Sequence, residues 1–119
     1  MTGRILPNGN IIEVRQGDSF TIRLKITKNN SQIDLSDSVV KMQIRNFDDN
    51  SIKSELYATP IDITNGMFAL ILTPTTTSLE VGNYKTDIQL TTKDGAINTI
   101  FPADVNKIGV LRITEQVTR

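Results

Sequence analysis

The chain has 119 residues, 38% of them hydrophobic, which suits one sandwich-sized core and is too little for two domains. It contains no Cys and no His, which excludes disulfides, thiolate or imidazole metal sites, and Ser-His or Cys-His nucleophile pairs. Thirteen basic groups balance thirteen acidic ones, so no net field draws the chain to nucleic acid or to an anionic membrane.

In chain order, residues 1–10 carry Pro7, Asn8 and Gly9 and read as a flexible arm, with too few consecutive apolar residues for a signal-peptide core. The domain proper is expected over 11–119. Ile, Thr and Val together supply 38 of the 119 residues, and these β-branched types favour a pleated surface over a helix. A first strand is predicted at 11–15 and ends at Gln16-Gly17-Asp18. The clearest strand follows, where Phe20, Ile22, Leu24 and Ile26 alternate with Thr21, Arg23, Lys25 and Thr27. Val40, Met42 and Ile44 alternate in the same way with Lys41, Gln43 and Arg45. A weaker strand spans 52–58 after the turn residues Asp48-Asp49-Asn50. The run from Met67 to Leu72 is apolar throughout and reads as a strand covered on both sides, with Phe68, Leu70 and Leu72 inward. It is far shorter than the roughly 20 residues a membrane helix needs, and the chain reads as soluble. About one helical turn is expected within 75–81, before Gly82. Tyr84, Thr86, Ile88 and Leu90 then alternate with Lys85, Asp87, Gln89 and Thr91, Lys93-Asp94-Gly95 forms a turn, and weak strands close the chain at 96–101 and 109–114. Seven to nine strands at this spacing predict an all-β, antiparallel β-sandwich.

An ordered set of phrases carries a resemblance over most of the chain. It comprises Gln16-Gly17-Asp18-Ser19-Phe20, Ile33-Asp34-Leu35-Ser36, Val40-Lys41-Met42-Gln43-Ile44-Arg45, the entry Asn65-Gly66-Met67-Phe68 and the exit Thr73-Pro74. Its most telling part runs from Leu79-Glu80-Val81-Gly82-Asn83-Tyr84 to Leu90 and on to Lys93-Asp94-Gly95, and Ile113 to Arg119 resembles a domain exit. Together they resemble the immunoglobulin-like domain at the N-terminus of phage baseplate and tail-fibre proteins, including the baseplate upper proteins. That resemblance implies an immunoglobulin-like sandwich and a structural role in the virion.

The residues singled out are structural. Tyr84, two residues after Gly82, is placed like the tyrosine corner of immunoglobulin folds, its hydroxyl bonding nearby backbone. Phe20, Leu24, Leu70 and Ile88 are expected in one core with Ile22, Ile26, Met42, Ile44, Phe68, Leu72 and Leu90. Acidic residues gather at Asp34 and Asp37, at Asp48 and Asp49, and along Glu55, Asp62, Glu80 and Asp87. Most lie in turns, where such side chains bond their own backbone, so turn chemistry outweighs a glycosidase pair. Asp48-Asp49-Asn50-Ser51 lacks the spacing of a calcium loop, and no metal site is expected. Arg23, Lys25, Lys41 and Arg45 would form a basic stripe only on a shared face, and no aromatic stands beside them to stack bases. Asn29-Asn30-Ser31 fits a glycosylation sequon but reads as a hairpin turn.

The function expected is a virion structural module of a phage baseplate, tail or fibre, assembled in the host cytoplasm. No enzymatic activity, catalytic residue or cofactor is expected. The expected partners are other baseplate or tail proteins and further copies of the chain, with no nucleic acid and no membrane. A carbohydrate-binding or adhesin-type sandwich, with a host-surface glycan as its ligand, is the rival reading, because both place function in loops and edges.

Overall fold

The computed structural model describes residues 3–5, 9–26, 35–102 and 106–115. These form ten strands and one short helix: β1 (Gly3–Ile5), β2 (Ile11–Arg15), β3 (Phe20–Lys25), β4 (Val39–Asn46), β5 (Ile52–Tyr57), β6 (Thr59–Asp62), β7 (Met67–Leu72), α1 (Pro74–Thr77), β8 (Gly82–Thr91), β9 (Ile97–Phe101) and β10 (Val110–Thr114). The larger sheet runs β1-β2-β10-β8-β4-β5, with β9 also paired to β8, and the smaller sheet runs β3-β7-β6. The protein is an all-β sandwich. Its pairs are antiparallel except β2 with β10, which is parallel.

Alternation dictates the layers. Ile22 on β3, Phe68, Leu70 and Leu72 on β7, Val40, Met42 and Ile44 on β4, and Ile88 and Leu90 on β8 all turn inward and are buried. Ile12 and Val14 of β2 and Leu111 and Ile113 of β10 complete the same core, with Ile26 and Leu35 beyond the strands. Phe20 and Leu24 are only partly buried and pack at its margin, since β3 is the outer strand of the smaller sheet. The second side of the β7 run is covered only in part: Ala69 is buried and Met67 half-buried, but Ile71 is 52% exposed, so the both-sides expectation fails at that residue.

The sequence signals miss two strands. Residues 3–5, inside the segment expected to be an arm, pair antiparallel with β2. Residues 59–62 form β6, which continues the run of β5 past Ala58 and crosses from the larger sheet to the smaller. The Ala58 N–H donates to the Val40 carbonyl at that crossing. Proline 60 and a register shift beside it hide β6 from a search for alternation. The helical turn occupies 74–77 and is capped by the Thr73 hydroxyl, which accepts from the Thr76 N–H. Its buried Thr77 hydroxyl donates to the Asp18 carbonyl at 2.7 Å, and the Gly17 N–H donates to the Thr77 carbonyl, so α1 pins the corner between β2 and β3.

Candidate interaction surface

The outer face of the larger sheet carries the polar phase of β4, β5 and β8. Lys41, Gln43 and Arg45 stand opposite Gln89, Asp87 and Lys85 of β8, and Gln43 also stands opposite Glu55 of β5. The side chains link into a chain. Tyr57 Oη donates to Glu55 Oε1 at 3.0 Å, Gln43 Nε2 donates to Glu55 Oε2 at 2.6 Å, and Lys41 Nζ lies 3.9 Å from that same oxygen. Arg45 donates through Nε and Nη2 to Gln43 Oε1 and through Nη1 to the Asn50 carbonyl. Lys85 lies over the Phe47 ring with its ammonium 5.6 Å from the centroid.

A groove of about 630 Å³ lies against this face. Gln43, Arg45, Lys85, Asp87 and Gln89 line one side, and Thr99 and the segment around Ile108 line the other. It opens where β8 exchanges one neighbour for another, pairing with β10 over its first residues and with β9 over its last. Gly109 holds that junction: its carbonyl accepts from the Thr86 N–H, and a Cβ there would stand 2.1 Å from the Thr86 carbonyl oxygen. Among the described residues no aromatic ring lines the groove.

Glu55 and Asp87 flank Gln43 on one face of the larger sheet. A general acid needs a raised pKa. Hydrogen bonds from Gln43 and then Tyr57, with the charges of Lys41 and Arg45, instead hold the Glu55 carboxyl below the usual range. The turn acids engage backbone: Asp49 accepts from the Ser51 N–H, Asp62 from the Asn65 N–H and Asp94 from the Ala96 N–H. Hydrogen bonds from Ser51 lower the Asp49 carboxyl, and those from Thr92 and then Ala96 lower that of Asp94. Among the described residues no three acids group as a cation site. Arg23 and Lys25 lie on the smaller sheet and Lys41 and Arg45 on the larger, so the four make no single stripe. Asp34 and Asn29-Asn30-Ser31 lie outside the described residues.

Tyr84 is buried at the start of β8, and its hydroxyl donates to the Glu80 carbonyl at 2.7 Å. Gly82 stands between them with φ at 150°, a conformation open to glycine. The next inward residue, Thr86, donates to the Gln43 carbonyl of β4 at 2.7 Å. Leu70 and Ile88 lie in the same core as Tyr84, and Phe20 and Leu24 pack, partly buried, against it.

A family model for the BppU N-terminal domain matches residues 4–102. The chain belongs to this family of phage baseplate upper protein domains. The match takes in β2 to β9 and stops short of β10. No curated protein matches the chain. Membership makes the domain a structural component of the phage baseplate and a virion-associated module that meets other phage structural proteins.

Proposed function

We propose that this domain is a non-enzymatic docking module with immunoglobulin-like wiring, holding its place in the baseplate or tail through protein–protein contacts made by its sheet edges and polar outer face. The family match over 4–102 carries this reading. The wiring is supported by the order β2-β10-β8-β4-β5 facing β3-β7-β6, by the parallel β2–β10 pair, and by the Tyr84 corner at the head of β8. Docking is supported by the polar network on β4, β5 and β8, whose amide, guanidinium and carboxylate groups suit the hydrogen-bonded rim of a protein interface. The rival carbohydrate reading has less support, since among the described residues no ring lines the groove.

Co-expression with the other baseplate proteins of its phage, followed by size-exclusion chromatography, tests the proposal. The domain is expected to elute with at least one neighbour, and Arg45→Glu on the outer face is expected to weaken that retention. Elution alone in every pairing, or turnover of a glycan substrate by the purified domain, would overturn it.

A further inference from the structure

Among the described residues, five strands have one side without a strand partner: β1, β5 and β9 in the larger sheet, and β3 and β6 in the smaller. A bare edge invites pairing with another chain unless charge, proline or a bulge blocks it. Four of the five are guarded: β1 by its length of only three residues, β3 by Arg23 and Lys25, β5 by Lys53 and Glu55, and β6 by Pro60 with its register shift. β9 reads Ile97-Asn98-Thr99-Ile100-Phe101, with no charge and no proline. Its one irregularity, the register shift opposite Ile88 and Gln89, lies on the side already paired with β8. Ile97 is 64% exposed, and Asn98 and Thr99 are exposed beside it. A short, neutral, proline-free run of β-formers is the composition that accepts an added strand.

The wiring leaves room for one. β9 and β10 lie end to end along the same side of β8, and β2 fills the next lane beside β10. At the boundary the Asn10 carbonyl accepts from the Val110 N–H and the Asn10 side chain donates to the Ile108 carbonyl. Beside β9 that lane has no strand among the described residues.

We propose that β9 is a self-association edge, pairing antiparallel with β9 of a second copy about a two-fold axis. Charge selects the occupant: of the other open-edged strands among the described residues, β3, β5 and β6 would bring an ionised side chain or a proline into the lane and β1 has only three residues, whereas β9 against β9 sets neutral against neutral. Symmetry selects it again, because one two-fold contact covers both bare edges and closes without further growth. Two five-residue strands bury far less than the roughly 1,200 Å² of a stable interface, so the pair is weak in solution. Its reinforcement in an array of copies rests on the baseplate reading proposed above.

Sedimentation equilibrium of the full chain across roughly 1 μM to 1 mM, the range of weak association, tests the inference. A reversible monomer–dimer equilibrium is expected, with the β9 amides exchanging more slowly at high concentration. Thr99→Lys, at the centre of the strand, sets like charges across the two-fold, and Ile97→Lys separately places a charge on the neutral edge; each is expected to weaken dimerisation at least about tenfold. Both sites are exposed, so unchanged melting would show that folding is intact. A monomer throughout, a dimer indifferent to both lysines, or protection confined to another strand would overturn the inference. Retention of a baseplate neighbour by a strictly monomeric chain would leave the docking function standing while this edge pairing fails. A β9 dimer that retains no neighbour would reverse those two outcomes.

Discussion

Tyr84 joins chain direction to stability at a single hydroxyl. Its ring is buried under the head of β8, and its O–H reaches back four residues to the Glu80 carbonyl. Tyr84→Phe keeps the ring and removes the bond, so chemical denaturation should show a loss of about 1 kcal/mol, the usual net value of one hydrogen bond. Burial, and then the nearby Glu80 charge, raise the hydroxyl pKa above its ordinary 10.0. The fold therefore keeps a proton that the unfolded chain gives up first. That stabilisation is complete below pH 10.0 and is lost as pH rises through the folded pKa. Tyr84→Phe should flatten the alkaline decline of stability in part, because Tyr57, raised by its bond to Glu55, retains its own share. An alkaline limb identical in the two proteins would contradict this account of the corner. Leu70 and Leu24 offer a second comparison, since Leu70 is fully buried and Leu24 only packs at the margin. Leu70→Ala should cost roughly 2–5 kcal/mol and Leu24→Ala distinctly less, as read by denaturant midpoints.

At the scale of elements, two glycines set joints that alternation does not reveal. Gly66 lies at φ 70°, and a Cβ there would stand 2.3 Å from the Ile26 carbonyl oxygen, while Gly109 meets the Thr86 carbonyl oxygen. Gly66→Ala should destabilise by more than about 1 kcal/mol, since both the conformation and the contact oppose a side chain. Gly109→Ala should loosen the β8–β10 junction, seen as faster amide exchange at Thr86; exchange as slow as in the parent would contradict that role. Period-two patterning marks β3, β4 and β8 clearly because each has one face in the core and one in water. It fails for β6, whose four residues are all exposed, and for β1, which is only three residues long. The apolar β7 misleads in the other direction, since Ile71 faces outward on a narrow sheet that leaves it uncovered. The outer-face network is equally hidden: Gln43, Glu55 and Tyr57 are unremarkable in sequence, and only the register of β4 with β5 brings them together.

At the scale of the molecule, the sandwich presents a polar outer sheet and, among the described residues, one unguarded edge, and the charges of the sequence sum to zero. Such a surface is suited to repeated, individually weak contacts that gain strength in a symmetric array. The Glu55 carboxyl, lowered by hydrogen bonds from Gln43 and Tyr57, suits the docking role proposed above. The phrases quoted from 16 to 95 made the baseplate resemblance legible in the sequence, whereas the surfaces that act on it depend on strand order, which no local pattern encodes. Its family places the domain in the phage baseplate. Electron microscopy of intact virions labelled with an antibody against this domain tests it most directly. Label clustered at the baseplate end of the tail is the predicted result; label on the capsid, or virions with no label and no trace of the chain by mass spectrometry, would contradict it.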